Sequence, residues 1–121
     1  EAEQRPIVFT SHNSDEGARA RAGEVAEVVV SDSDQVDPMA AVDYLYSRGH
    51  RSVLLEGGPR LNAEVTDATS LDELCLTLSP RLVAGDGPRV LAGPELPTPL
   101  ELRILHLLEE DGFLFYRLAV R

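Results

Sequence analysis

The sequence predicts an α/β fold, with a mainly parallel sheet flanked by helices and an antiparallel hairpin at the C-terminus. Three observations carry this expectation. Short apolar runs alternate with stretches of helical periodicity over the first half of the chain. A well-marked helix opens at Asp37-Pro38 and stops at Gly49. Two alternating runs then close the chain on either side of Asp111-Gly112, a dipeptide that favours tight hairpins.

The bulk properties set limits. At 121 residues and 43% hydrophobic, the chain has the size of one domain, residues 1–121, with a real but modest core. Eleven basic residues against 21 acidic ones give a formal charge of −10. Non-specific nucleic-acid binding needs a basic surface, so that class is excluded as an expectation. No apolar run reaches the length of a membrane span, and Glu1-Ala2-Glu3-Gln4-Arg5 lacks the pattern of a secretion signal. The single cysteine, Cys75, forms no internal disulfide, and a cytoplasmic location is the simplest reading. His12, His50 and His106 lie far apart with no Cys/His cluster, so no metal site is expected.

In chain order, Ile7-Val8-Phe9-Thr10 is the first strand. Ser11-His12-Asn13-Ser14-Asp15 is turn chemistry. Polar residues at the C-terminal end of such a strand stand where open α/β sheets bind ligands, although they also suit an ordinary loop start. Residues 16–23 read either as a short helix or as a surface loop. Residues 24–30 form the next strand, dominated by valine, and residues 31–35 a solvated loop. Asp37 suits the N-cap and Pro38 the first helical position, while Met39, Val42, Leu45 and Tyr46 share one face. Arg48, His50 and Arg51 place positive charge at the negative end of that helix.

Residues 52–55 are expected as the central strand, turning at Glu56-Gly57-Gly58-Pro59 into a helix in which Leu61 and Val65 pair, with Ala68 nearby. A strand that turns on glycines into a helix N-terminus suits an anion. The first N–H groups of the helix lack partners, and glycine lets a ligand approach the backbone closely. Glu56 has two readings from the residues alone. Its carboxylate can bind a polar ligand, or it can cap the glycine turn.

Residues 72–80 alternate cleanly, with Leu74, Leu76 and Leu78 on one face and Glu73, Cys75, Thr77 and Ser79 on the other, and Pro80 as the stop. Asp72 and Glu73 point to opposite faces, which disfavours a catalytic dyad and leaves capping or a subunit contact. Cys75 has no basic neighbour in sequence and is not expected to be catalytic. Residues 81–99 are loop-rich and read as a small-ligand loop, a subunit contact or an ordinary surface connection. Residues 100–108 return as a strand, residues 109–112 as a turn and residues 113–120 as the closing strand.

Taken together, Arg5-Pro6-Ile7-Val8-Phe9-Thr10, Leu54-Leu55-Glu56-Gly57-Gly58-Pro59-Arg60-Leu61, residues 71–80 and the closing Asp111-Gly112-Phe113-Leu114-Phe115-Tyr116-Arg117 resemble one family. It is the C-terminal reductase domain of bacterial riboflavin biosynthesis, which has a dihydrofolate-reductase-like fold. The resemblance covers nearly all of this chain but roughly the second half of that domain. It thus implies that an N-terminal part, with the first strands and much of the substrate pocket, lies outside this sequence.

The family implies hydride transfer from NADPH to the ribosylamino group of a pyrimidine, opening the sugar to a ribityl chain. By resemblance, Glu56 contacts the substrate. Gly57, Gly58, Pro59, Arg60, Leu61 and Asn62 lie along the cofactor phosphates, and Thr10 or Ser11 lies beside the cofactor. The loop around Arg19 and Arg21 is a further candidate to read a 2′-phosphate. Family members are typically dimers, and an incomplete sheet with open edges also favours association, so a homodimer is expected. Two other readings stay open: a non-catalytic nucleotide-binding or dimerisation module, and a related reductase acting on another pterin- or pyrimidine-like substrate.

Overall fold

The computed structural model describes residues 5–67 and 71–121, with Asp67 described by its backbone alone. Ala68 therefore lies outside the described residues. The order of elements is β1 (Ile7–Ser11), α1 (Glu16–Val25), β2 (Glu27–Ser31), α2 (Pro38–Ser47), α3 (Pro59–Asp67), β3 (Glu73–Leu78), β4 (Leu102–Glu110) and β5 (Phe113–Val120). They fall into two compact units, Glu1–Val53 and Leu54–Arg121.

In the first unit, β1 and β2 pair in parallel, from Ile7 opposite Glu27 to Ser11 opposite Ser31. Helix α1 makes the connection. The Asp15 carboxylate accepts a 2.6 Å bond from Ala18 N–H and fixes the start of α1, so the helical reading of residues 16–23 holds and extends to Val25. Helix α2 starts as expected, with Asp37 accepting from Met39 N–H at 2.9 Å and Pro38 in its first turn. Gly49, at φ +94°, supplies the left-handed residue that ends it. Arg51 donates to the Tyr46 carbonyl at 2.8 Å and lies 4.1 Å over the Tyr46 ring, so this cation does meet the end of α2.

Tyr44 links α2 to the parallel pair. Its ring meets Phe9 edge-on, with centroids 5.5 Å apart, and its hydroxyl donates to Glu27 on β2. Arg48 donates to the same Glu27 oxygen at 2.7 Å and to the Tyr44 oxygen at 2.9 Å. The Tyr44 bond and then the Arg48 guanidinium hold the Glu27 carboxyl below the usual carboxylate range.

The second unit carries an antiparallel sheet in the order β3-β5-β4. The mainly parallel sheet expected from sequence is thus corrected: the parallel part is the β1-β2 pair, and the larger sheet is antiparallel. The expected central strand at residues 52–55 is also absent, because no strand pairs with that segment among the described residues. An apolar run becomes a strand only when a neighbour takes its N–H and C=O groups. Leu54 is left 81% exposed.

Strands β4 and β5 meet through a two-residue turn rather than four, with Glu110 opposite Phe113. Asp111 and Gly112 lie at φ +51° and +79°, the pair of left-handed residues that a tight hairpin of this twist requires. The register shifts between Ile104 and His106, which leaves Leu105 as the extra residue of a bulge.

Register gives this sheet one leucine-rich face, with Leu74 beside Leu118 and Ile104, and Leu76 beside Tyr116 and Leu107. Little covers it. Leu118 is buried, but Ile104 and Leu107 are 55% and 49% exposed. Buried positions among the described residues are few: Ala26, Ala63, Val65, Thr66 and Leu118.

Candidate functional site

The glycine turn lies at the start of α3, in the second unit. Asn62 N–H bonds to the Gly58 carbonyl at 2.9 Å, which makes Gly58 the last residue before the helix. Pro59 occupies the first helical position, where its missing N–H costs nothing. The N–H groups of Arg60 and Leu61 meet no acceptor among the described residues, as expected in a first helical turn. Gly57 is at φ +71°, and the Gly57-Gly58 peptide is cis. A Cβ at Gly58 would meet nothing within 4 Å, so this stretch of backbone is open to a ligand.

The Glu56 carboxylate is exposed and has no hydrogen-bond or ion-pair partner among the described residues. Of its two sequence readings, capping of the glycine turn is therefore not what this structure contains. Arg60 is also exposed and lacks an ion partner among the described residues. It lines a shallow open depression of about 400 Å³ with Ala63, Glu64, Ala92, Gly93 and Pro94.

The rest of this wall comes from the loop-rich segment for which the sequence left a ligand loop, a subunit contact and an ordinary surface connection open. Residues 89–93 run against the start of α3. Ala92 N–H donates to the Pro59 carbonyl at 2.9 Å, and the Asn62 side-chain N–H donates to the Val90 carbonyl at 3.1 Å. Nothing local in Arg89-Val90-Leu91-Ala92-Gly93 announces this, since contacts across some 30 residues leave no periodic signal. Gly93 was the available clue: a Cβ there would stand 3.0 Å from that of Ala63.

Thr10 and Ser11 close strand β1 in the first unit. The Ser11 hydroxyl donates to Asn13 Oδ1 at 2.6 Å, and Ser11 lies opposite Ser31 at the C-terminal end of the parallel pair. His12 Nε2 and Asn13 Nδ2 approach Asp34 Oδ1 at 3.5 and 3.4 Å, joining the loops after β1 and β2. Arg19 does not present a free guanidinium. It donates to the carbonyls of His12 and Ser14 at 2.9 and 2.7 Å and so holds that loop. Among the described residues no group of three His, Cys, Asp or Glu is placed to hold a metal ion, and no helix is long and apolar enough to cross a membrane.

Glu73 and Asp72 make different contacts. Glu73 makes a two-bond ion pair with Arg117, and the Asp72 carbonyl accepts from Val120 N–H at 2.9 Å. Cys75 is exposed on the same face as Glu73.

Comparison with known proteins adds to this geometry. Residues 1–112 match the RibD C-terminal domain family. A 2,5-diamino-6-ribosylamino-4(3H)-pyrimidinone 5′-phosphate reductase from Archaeoglobus fulgidus is 29% identical over 92 residues, covering 75% of this chain and 42% of that protein. A protein of the same name from Aquifex aeolicus is 35% identical over 82 residues, covering 68% of this chain and 36% of that protein. The chain therefore spans less than half the length of these relatives.

Among solved structures, a pyrimidine reductase-like protein from Corynebacterium diphtheriae superposes with a TM-score of 0.82 at 21% identity, covering 96% of this chain and 50% of that one. A putative riboflavin biosynthesis protein from a Shewanella species gives 0.68 at 16% identity, covering 100% and 63%. At these identities the likeness shows the fold.

Proposed function

The chain belongs to the RibD C-terminal domain family, and from that premise we propose that it is part of an NADPH-dependent reductase of riboflavin biosynthesis. Residues 1–121 are read as part of one dihydrofolate-reductase-like reductase domain in a cytoplasmic enzyme. The observation that carries the reading is the family match over residues 1–112, which includes the open glycine turn at the start of α3. The substrate is a 6-ribosylamino-pyrimidine 5′-phosphate, whose ribosylamino group becomes ribitylamino. The resemblance to the bacterial riboflavin-biosynthesis domain implies 5-amino-6-(5-phosphoribosylamino)uracil, whereas the curated relatives are named for the 2,5-diamino-pyrimidinone.

The residues present fit a dinucleotide phosphate. The N–H groups of Arg60 and Leu61 and the Arg60 guanidinium, without partners among the described residues, and the open face of Gly58 all favour an anion at this place. The cofactor, when bound, supplies the hydride. This chain's residues would hold and orient it: the turn at residues 57–59 would let the phosphates approach, and the N–H groups of the first turn of α3 would donate to them. Thr10 and Ser11 are read as lying beside the cofactor. The unpartnered Glu56 carboxylate accepts hydrogen bonds from the N–H or O–H groups of the pyrimidine substrate. No side chain of this chain is assigned as the proton donor.

A homodimer is part of the same reading. The support is the leucine-rich face of the β3-β5-β4 sheet, because water-exposed leucine and isoleucine in such a row are stabilised by a partner surface.

The test is fluorescence titration of the full-length protein with NADPH, followed by turnover assays with the aminouracil and with the 2,5-diamino-pyrimidinone. Saturable NADPH binding and reduction of either pyrimidine support the reading, and the better substrate chooses between them. Saturable binding with neither pyrimidine reduced points to the binding-module alternative. Absence of NADPH binding sinks the proposal.

A further inference from the structure

The family resemblance places Asn62 among residues lying along the cofactor phosphates, but its surroundings give it different work. We infer that Asn62 is a positioning residue, whose carboxamide ties the segment at residues 89–93 to the glycine turn and so sets the backbone that faces the cofactor. For its functional consequence this rests on the nucleotide-binding reading of the same turn.

Three independent contacts define the tie. The Asn62 amide donates to the Val90 carbonyl at 3.1 Å, across 28 residues of chain. Two residues further on, Ala92 N–H donates to the Pro59 carbonyl at 2.9 Å. Next to that bond, Gly93 lies so close to α3 that a Cβ on it would stand 3.0 Å from Ala63 Cβ. The segment is thus pinned along one side of the first two turns of α3.

The same carboxamide also bears on the turn. A Cβ built on Gly57 would lie 2.7 Å from Asn62 Oδ1 and 3.0 Å from its Nδ2. The Asn62 head therefore packs against the bare α-carbon of Gly57 while one of its N–H groups is committed to Val90. It is braced between the Gly57 backbone and the Val90 carbonyl. A branched or larger residue at 57 would evict it. A residue at 62 without an N–H donor would leave the Val90 carbonyl unmet on that side.

Amide hydrogen exchange on the full chain, without nucleotide, reads the tie directly. The near-isosteric Asn62→Asp keeps an oxygen beside Gly57 and removes the donor to Val90. In it, and in Asn62→Ala, the Ala92 amide, which donates to the Pro59 carbonyl, should exchange at least about tenfold faster than in the wild type. Unchanged exchange in the Asp variant overturns the proposal.

NADPH titration then separates positioning from general helix damage. Thr66→Val serves as control, since it removes the 2.7 Å bond from the Thr66 hydroxyl to the Asn62 carbonyl on the same helix without touching the turn. The expected result is roughly tenfold weaker NADPH binding in both Asn62 variants and an affinity within about twofold of wild type in Thr66→Val. Equal loss in all three variants overturns the positioning role. Faster exchange in a protein whose wild type does not bind NADPH leaves the tie standing and overturns only the cofactor reading.

Discussion

Glu73 and Arg117 face each other diagonally across β3 and β5 and meet through two hydrogen bonds, from Nε to Oε2 at 2.7 Å and from Nη2 to Oε1 at 2.9 Å. Arg117 lies opposite Cys75 in the ladder, one pleat along from Glu73 on the same face. The fork of the guanidinium matches the carboxylate, and this pairing holds the Glu73 carboxyl below its usual range. A carboxylate on an alternating strand that looked suited to capping or to a subunit contact is therefore used inside the sheet.

The sign of the pH dependence follows. Because the folded carboxyl is the stronger acid, the pair contributes fully above the ordinary glutamate value of about 4.3 and loses that contribution as pH falls through the lower folded value. Thermal melts of wild type and Glu73→Gln should differ modestly at neutral pH, the pair being half exposed. They should converge in acid. A difference that grows on acidification would contradict the pairing.

Tyr44 makes an alkaline counterpart. Its bond to Glu27 comes first among the causes that raise its phenol above the ordinary range. A raised folded value means stability present below about pH 10 and lost as pH rises through the folded value. Of the three tyrosines in the sequence, one should ionise late in a phenolate absorbance titration. Tyr44→Phe should remove that late step.

Two glycines at positive φ should respond differently to alanine. At Gly112 an added Cβ finds only Pro80, at 3.4 Å, so Gly112→Ala should cost about 1 kcal/mol for the left-handed backbone alone. Gly57→Ala carries a similar backbone cost and also displaces the Asn62 head from its bond to Val90, so a further loss of about 1 kcal/mol is expected. Urea denaturation of the two variants compares them, and equal losses would remove the packing role given to Asn62.

Gly58 separates ligand approach from folding. A Cβ there meets nothing within 4 Å in the protein, so its obstruction would fall on a bound cofactor. Gly58→Ala should retain the wild-type circular dichroism spectrum and bind NADPH about tenfold more weakly, about 1.4 kcal/mol. Unchanged affinity would move the phosphate away from this turn.

The exposed sheet face predicts self-association. Leu107→Arg places a charge in the middle of the leucine-rich face beside Tyr116. It should raise the dimer dissociation constant at least about tenfold, measured by sedimentation equilibrium, since burying an unpaired guanidinium is costly. A wild type that is monomeric at all concentrations would refute the homodimer directly.

Local chemistry was readable from the sequence wherever one short stretch decides its own structure. Asp37 and Pro38 begin α2 and Gly49 ends it, because capping, a fixed φ and a left-handed φ are properties of single residues. Asp111-Gly112 makes its hairpin for the same reason, and the alternation of Leu74, Leu76 and Leu78 sets the faces of β3. The glycine turn into α3 was likewise visible in Glu56-Gly57-Gly58-Pro59.

The tertiary structure decided what depends on partners distant in the chain. Residues 52–55 look like a strand but have no pairing neighbour among the described residues, and strand pairing is a relation between segments. Arg19 looked available to a phosphate, yet two loop carbonyls take its guanidinium. Asn62 belongs to the turn by sequence, but its work is defined by Val90, 28 residues away. Periodicity and capping rules report on neighbours in the chain, whereas the acceptor that meets a side chain in space is fixed only when the chain has folded.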